Sequence, residues 1–150
     1  MELRLVSASR RGAVKEITSI LQYPTLNVNL RDENGWTALQ NACQCGKAEV
    51  VKLFLALPVI DVNLQGSDGR TVIGCGAWKG QVAVVRLLLQ DPRVDIKLAD
   101  VGGRTPLMWV SCYGYEELAE KIMASGKDLG DLEKTGKWNG KKFFAYWNCH

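Results

Sequence analysis

Gly35-Trp36-Thr37-Ala38-Leu39-Gln40-Asn41-Ala42-Cys43-Gln44-Cys45-Gly46 begins and ends on glycine and has room for one short helix between them. Gly35 suits a turn, because glycine takes positive φ without a steric penalty. Thr37 follows as an N-cap candidate, its hydroxyl able to accept from an early helical amide that has no other partner. Gly46 stands where a left-handed residue ends such a helix. A second helix then begins near Ala48, with Val50, Val51, Leu53, Phe54 and Leu55 as its apolar face, and Pro58 ends it.

The framework of this stretch returns at a fixed step. Gly12, Gly46, Gly80 and Gly114 are 34 residues apart, and so are Gly35, Gly69 and Gly103. Thr37, Thr71 and Thr105 keep that step, as do Pro24, Pro58 and Pro92, and Asn27, Asp61 and Asp95. The second-helix faces recur as Val84, Val85, Leu87, Leu88 and Leu89, then as Leu118, Ala119, Ile122 and Met123, with Lys121 where Leu53 and Leu87 stood. Ala42 and Cys43, Gly76 and Ala77, and Val110 and Ser111 are mostly small, which lets neighbouring first helices approach closely. A pair of short helices cannot bury its apolar faces alone; stacking on the next pair supplies the missing surface. The reading is an all-α, helix-turn-helix solenoid: an N-terminal capping unit at 1–34, full units at 35–68, 69–102 and 103–136, and a partial unit at 137–150. No second helix follows Trp147, so the chain reads as clipped or as a piece of something longer.

These units resemble ankyrin repeats. Thr105-Pro106-Leu107 is similar to the opening of that family's Thr-Pro-Leu-His motif, and Thr37-Ala38-Leu39 and Thr71-Val72-Ile73 are altered copies. Asp61-Val62-Asn63 and Asn27-Val28-Asn29 resemble its Asp-Val-Asn. The motif histidine is replaced by Gln40, Gly74 and Met108, which removes a side-chain hydrogen bond typical of the family, and each unit is one residue longer than the usual 33. The resemblance implies a binding protein whose concave surface is made of turn tips and the exposed side of the first helices. Carried over by position, the tips are Glu33, Asn34 and Trp36, then Ser67, Asp68 and Arg70, then Val101, Gly102 and Arg104. The exposed helix pairs are Arg10 and Arg11, Gln44 and Cys45, Trp78 and Lys79, and Cys112 and Tyr113. Arg10, Arg11, Trp36, Arg70, Trp78, Lys79, Arg104 and Tyr113 are therefore the expected partner-binding residues. Arginine and large aromatics most often anchor interfaces, and the basic excess points to an acidic or mixed acidic-apolar protein segment. The alternative is that Trp36 and Trp78 only cover neighbouring units while the arginines stay solvated. The resemblance also implies that Asn29 or Asn63 could serve as a hydroxylation substrate.

Composition excludes most other classes. Of 150 residues, 47% are apolar and 23% charged, with a net charge of +3, which is an ordinary globular balance and no argument for nucleic acid or an anionic membrane. No apolar run reaches the roughly 18 residues of a membrane span, and the start is too polar for a secretion signal. The one histidine is His150, so nucleophile-base pairs have no positioned base. Cys43, Cys45, Cys75, Cys112 and Cys149 lack metal-ligand spacing; they read as thiols, which suits an intracellular, cytoplasmic protein. No catalytic residue, metal site or cofactor is expected. A second function class is the targeting module of a larger enzyme. A third is nucleic-acid binding through the tail, where Lys134, Lys137, Lys141 and Lys142 mix with Trp138, Phe143, Phe144, Tyr146 and Trp147; the better reading of that tail is a seal on the last unit.

Overall fold

The computed structural model describes residues 1–130. The partial unit expected at 137–150, the basic aromatic tail and His150 lie outside the described residues. Eight helices follow in chain order: α1 (Glu2–Arg11), α2 (Val14–Ile20), α3 (Ala38–Gln44), α4 (Ala48–Leu55), α5 (Val72–Lys79), α6 (Val82–Gln90), α7 (Pro106–Cys112) and α8 (Glu116–Ala124). Among the described residues there is no strand, only an isolated bridge between Arg31 and Thr37. α1, α3, α5 and α7 pack side by side as one layer, α2, α4, α6 and α8 as the other, and each pair is an antiparallel hairpin.

The cap residues act as their positions imply. The side chains of Thr37, Thr71 and Thr105 accept from the backbone N–H of Gln40, Gly74 and Met108, three residues into each helix. At the third unit Pro106 adds a fixed φ where no amide partner is needed.

Because the step is constant, the core forms columns. Ile20, Phe54, Leu88 and Ile122 are buried in one, and Ile17, Val51, Val85 and Ala119 in the next. Truncating a buried aromatic such as Phe54 to alanine costs about 3–5 kcal/mol, a large part of what holds a domain this size. The small column is buried throughout, and Gly76 shows why it must be small. A Cβ there would stand 3.2 Å from Val85 Cγ2, holding α6 away from α5.

Side-chain amides tie unit to unit. Asn29 Nδ2 donates to the Val59 carbonyl at 2.9 Å while its Oδ1 accepts from Asp61 N–H at 2.9 Å. Asn63 repeats the clasp on the Arg93 carbonyl and Asp95 N–H. In the next copy Lys97 stands in that place and pairs with Asp128 at 2.8 Å instead.

Two expectations need correction. Loss of the motif histidine does not empty its position in the first full unit. Gln40 Oε1 accepts from Thr37 N–H at 2.8 Å, and Nε2 donates to the carbonyls of Leu64 and Arg70 at 3.1 and 2.8 Å. The glutamine amide carries an acceptor and two donors, so it closes the capping box and still reaches the next unit. The cysteines are not all thiols either: Cys43, Cys45 and Cys75 are free, whereas Cys112 is disulfide-bonded.

Candidate functional site

Three turn tips line one side of the stack, and each is closed by the same backbone bond. Asp32 N–H donates to the Trp36 carbonyl, Gly66 N–H to that of Arg70, and Asp100 N–H to that of Arg104, at 2.8, 2.9 and 3.0 Å. At the first tip Asp32 Oδ1 accepts from the N–H groups of Asn34 and Trp36, and Oδ2 from Asn41 Nδ2 at 3.2 Å and the Arg10 guanidinium at 3.0 Å. At the third, Asp100 Oδ1 accepts from Gly102 and Arg104, and Oδ2 from Trp109 Nε1 at 2.9 Å.

The middle tip breaks the pattern twice. The aspartate position is Gly66, and the donor position, Asn41 or Trp109 in the others, is Cys75. Carboxylate and donor are missing together, so neither leaves the other unpaired and buried, which would be the costly arrangement. Trp36 fills the space, and a Cβ on Gly66 would meet its Cδ1 at 3.1 Å. Asp68, two residues further on, takes over by accepting from Arg70 N–H at 3.0 Å and pairing with its guanidinium at 3.1 Å.

Between tips and first helices runs an open groove of about 980 Å³, lined by Arg10, Trp36, Asn41, Asp68, Arg70 and Trp78 among others. Of the expected residues, Arg10, Trp36, Arg70 and Trp78 meet here. Arg10 is committed internally, its Nε donating to Asn41 Oδ1 at 2.7 Å beside the Asp32 contact. Trp36 lies half-buried over Gly66. Arg11 is not among the lining residues; its guanidinium pairs with Glu16 of α2 at 2.7 Å.

Beyond the groove a ladder of rings and cations begins. Trp78 and Trp109 meet edge to face at 6.4 Å, Trp109 and Tyr113 stack at 5.8 Å, and Tyr113 and Tyr115 stack at 5.8 Å. The Arg70 guanidinium lies 3.9 Å from the Trp78 centroid and 4.8 Å from that of Trp109. Lys79 Nζ is 4.2 Å from the Trp78 centroid and Arg104 is 4.8 Å from that of Trp109. Such contacts are worth about 0.5–2 kcal/mol each and hold a cation in place before any ligand arrives. Arg70 is 15% exposed with its Nε buried and unpartnered, whereas Tyr113 is 49% exposed and Lys79 open to solvent. Among the described residues no carboxylate lies within 4 Å of the charged groups of Lys79 or Arg104; Asp100 is held by Trp109 Nε1 and the Arg104 N–H. Val101, at the tip of the third finger, is 81% exposed.

Trp109 and Tyr115 belong to this surface although sequence reasoning did not place them there. Trp109 is only 5% exposed, but its indole is the hub of the ladder. The signal that could have found it is its own column: Ser7, Asn41, Cys75, then Trp109. A large ring where the other copies are small must displace something or project.

A family model described as ankyrin repeats, three copies, matches residues 5–100, about two-thirds of the chain. The chain belongs to the ankyrin-repeat family. No curated protein matches it. Ankyrin repeats generally serve as protein–protein interaction modules, and the family is typically non-catalytic. Among the described residues of this ankyrin stack, no helix is long and apolar enough to cross a membrane, and no three His, Cys, Asp or Glu side chains are grouped to hold a metal ion.

Proposed function

We propose that this chain binds an acidic or mixed acidic-apolar protein segment, laid along the concave side from the groove to the ring ladder. What carries the reading is the state of its charges. In the first part of the groove the polar groups of Arg10, Asp32 and Asn41 satisfy one another. Around Trp78 and Trp109, Lys79 and Arg104 have no acid partner among the described residues, yet their rings hold them in place. Exposed Tyr113 and Val101 supply the apolar contact beside them. An acidic segment gains charge complementarity there without first breaking an internal ion pair. Arg11, paired with Glu16, takes no part in this reading.

A lysate pull-down with the wild type and with a Trp78→Ala, Arg104→Glu variant of unchanged helicity tests it. The expected result is a partner held by the wild type and lost from the variant, because aromatic and arginine anchors carry about 2 kcal/mol or more each. The same partners on both proteins would refute the surface.

A further inference from the structure

The charged residues lining the groove are Arg10, Asp32, Glu33, Asp68 and Arg70. Arg10 pairs with Asp32 at 3.0 Å and Arg70 with Asp68 at 3.1 Å. Glu33 is left over. It is exposed on the first tip, and among the described residues its carboxylate has neither a cation within 4 Å nor a hydrogen bond. Beside it the groove continues into a cavity of about 220 Å³ lined by Leu3, Val6, Ser7 and Glu33 among others. Leu3 is 61% exposed. The charged residues of this cavity are again Arg10, Asp32 and Glu33, so nothing in it neutralises the free carboxylate. At the opposite end Lys79 and Arg104 lie on the rings of Trp78 and Trp109, and Asp100 is engaged by Trp109 Nε1.

We propose that the cavity beside Glu33 seats a lysine or arginine of the partner segment, its methylene stem on Leu3 and its cation on Glu33. For the acidic end of the segment the proposal rests on the acid-binding reading of the concave side. Lysine and arginine are the side chains that join an apolar stem to a terminal cation. An apolar residue there leaves Glu33 unmatched, a short polar one leaves Leu3 uncovered, and an acidic one meets like charge.

The repeat step also sets the spacing. Glu33 holds the tip position that Ser67 and Val101 hold in the next two units, so Arg104 lies two units on. Packed helices stand about 8–10 Å apart, which makes two steps about 16–20 Å. Extended chain rises about 3.3 Å per residue. Base and acid are therefore about five or six residues apart in the segment, and it lies with its base toward α1 and its acid toward α7.

The test uses three end-blocked peptides, titrated into the full chain and followed by the indole N–H resonances of Trp36, Trp78 and Trp109. The first is Lys-Ser-Leu-Thr-Ala-Asp-Asp; the second has methionine and the third glutamate in place of the lysine. Each is also made in reverse order, because charge fixes which end meets Glu33 and not the N-to-C direction. In the better direction the lysine peptide is expected to bind about threefold tighter than the methionine peptide, the scale of one exposed charge pair. Glu33→Gln should erase that advantage and leave the methionine peptide as it was. Glu33→Lys should reverse the order, so that the glutamate peptide outbinds the lysine one. The Glu33 side chain is exposed and makes no hydrogen bond, so neither variant disturbs the stack. Equal affinity of the lysine and methionine peptides in both directions would overturn the proposal and leave the acid-binding reading standing. So would a lysine advantage that survives Glu33→Gln. No shift at any indole with any peptide would sink both.

Discussion

At the first tip Asp32 holds Asn41 and Arg10, so the polar groups there are satisfied from within; at the third, Asp100 holds Trp109, and that indole carries Arg70 and Arg104. The two aspartates close the same turn with the same oxygen. What differs is the residue nine positions later, asparagine in one copy and tryptophan in the other. One repeat geometry therefore yields a polar surface closed on itself at the first tip and an aromatic one that carries cations at the third. A solenoid gains a specific face by changing column residues while its turns stay as they are.

The largest effect of a single methyl group is expected at the middle tip. Gly69 and Gly103 have φ of 77° and 76°, so alanine at either meets the same backbone strain. A Cβ on Gly69 would lie 2.5 Å from the Val101 backbone nitrogen, whereas on Gly103 it meets none of the described residues within 4 Å. Gly103→Ala should cost about 1–2 kcal/mol from φ alone, and Gly69→Ala about 3 kcal/mol or more, because backbone must move as well. Urea unfolding checks the Gly69→Ala value; a loss there of only about 1–2 kcal/mol would mean that the middle tip yields freely.

The next largest contrast lies in the aspartates. Asp32→Ala should destabilise by about 2–3 kcal/mol and Asp100→Ala by about 1–2 kcal/mol. The Asp32 side chain is 6% exposed and accepts from four donors, one of them Arg10; that of Asp100 accepts from three. If Asp100→Ala proved the costlier, Trp109 would be the better anchored of the two donors and the contrast would invert.

The smallest effect concerns the middle copy, where Cys75 stands at the donor position. Burial first, then the Asp68 charge, push its thiol up to about 12, with Arg70 opposing; burial and then Cys75 push Cys43 up as well. Both thiols favour the protonated form when folded, so the stability they support is full below pH 9 and declines as pH rises from about 9 toward 12. Iodoacetamide at pH 8 should modify exposed Cys45 and spare Cys43 and Cys75 until the chain unfolds. Modification of Cys75 in the folded state would show that the middle of the stack opens.

The stack was legible because its period is visible in residues with local roles: threonine caps, turn glycines and Val/Leu columns each need only their near neighbours. The groove was legible in part. Trp78, Lys79, Arg104 and Tyr113 follow from their place at a helix end or tip. Trp109 was not read as surface because burial and ring contact look alike in a sequence. The commitment of Arg10 to Asp32 and Asn41 was hidden as well, because the partners lie 22 and 31 residues on, the second in the next unit. The service of Gln40 in place of histidine needed the same long reach.

The asparagine clasps make each joint between units a two-point fastening, bonded to a carbonyl and an amide of the next loop at once. Two points resist rotation as well as separation, so the first two joints behave as keyed couplings. At the third joint Lys127 Nζ donates to the carbonyls of Asp91 and Val94, and Lys97 and Asp128 add an exposed ion pair. Salt screens such a contact and leaves the amide clasps in place. Rising ionic strength should therefore weaken the Lys97–Asp128 contact at the third joint and leave the two asparagine clasps as they are.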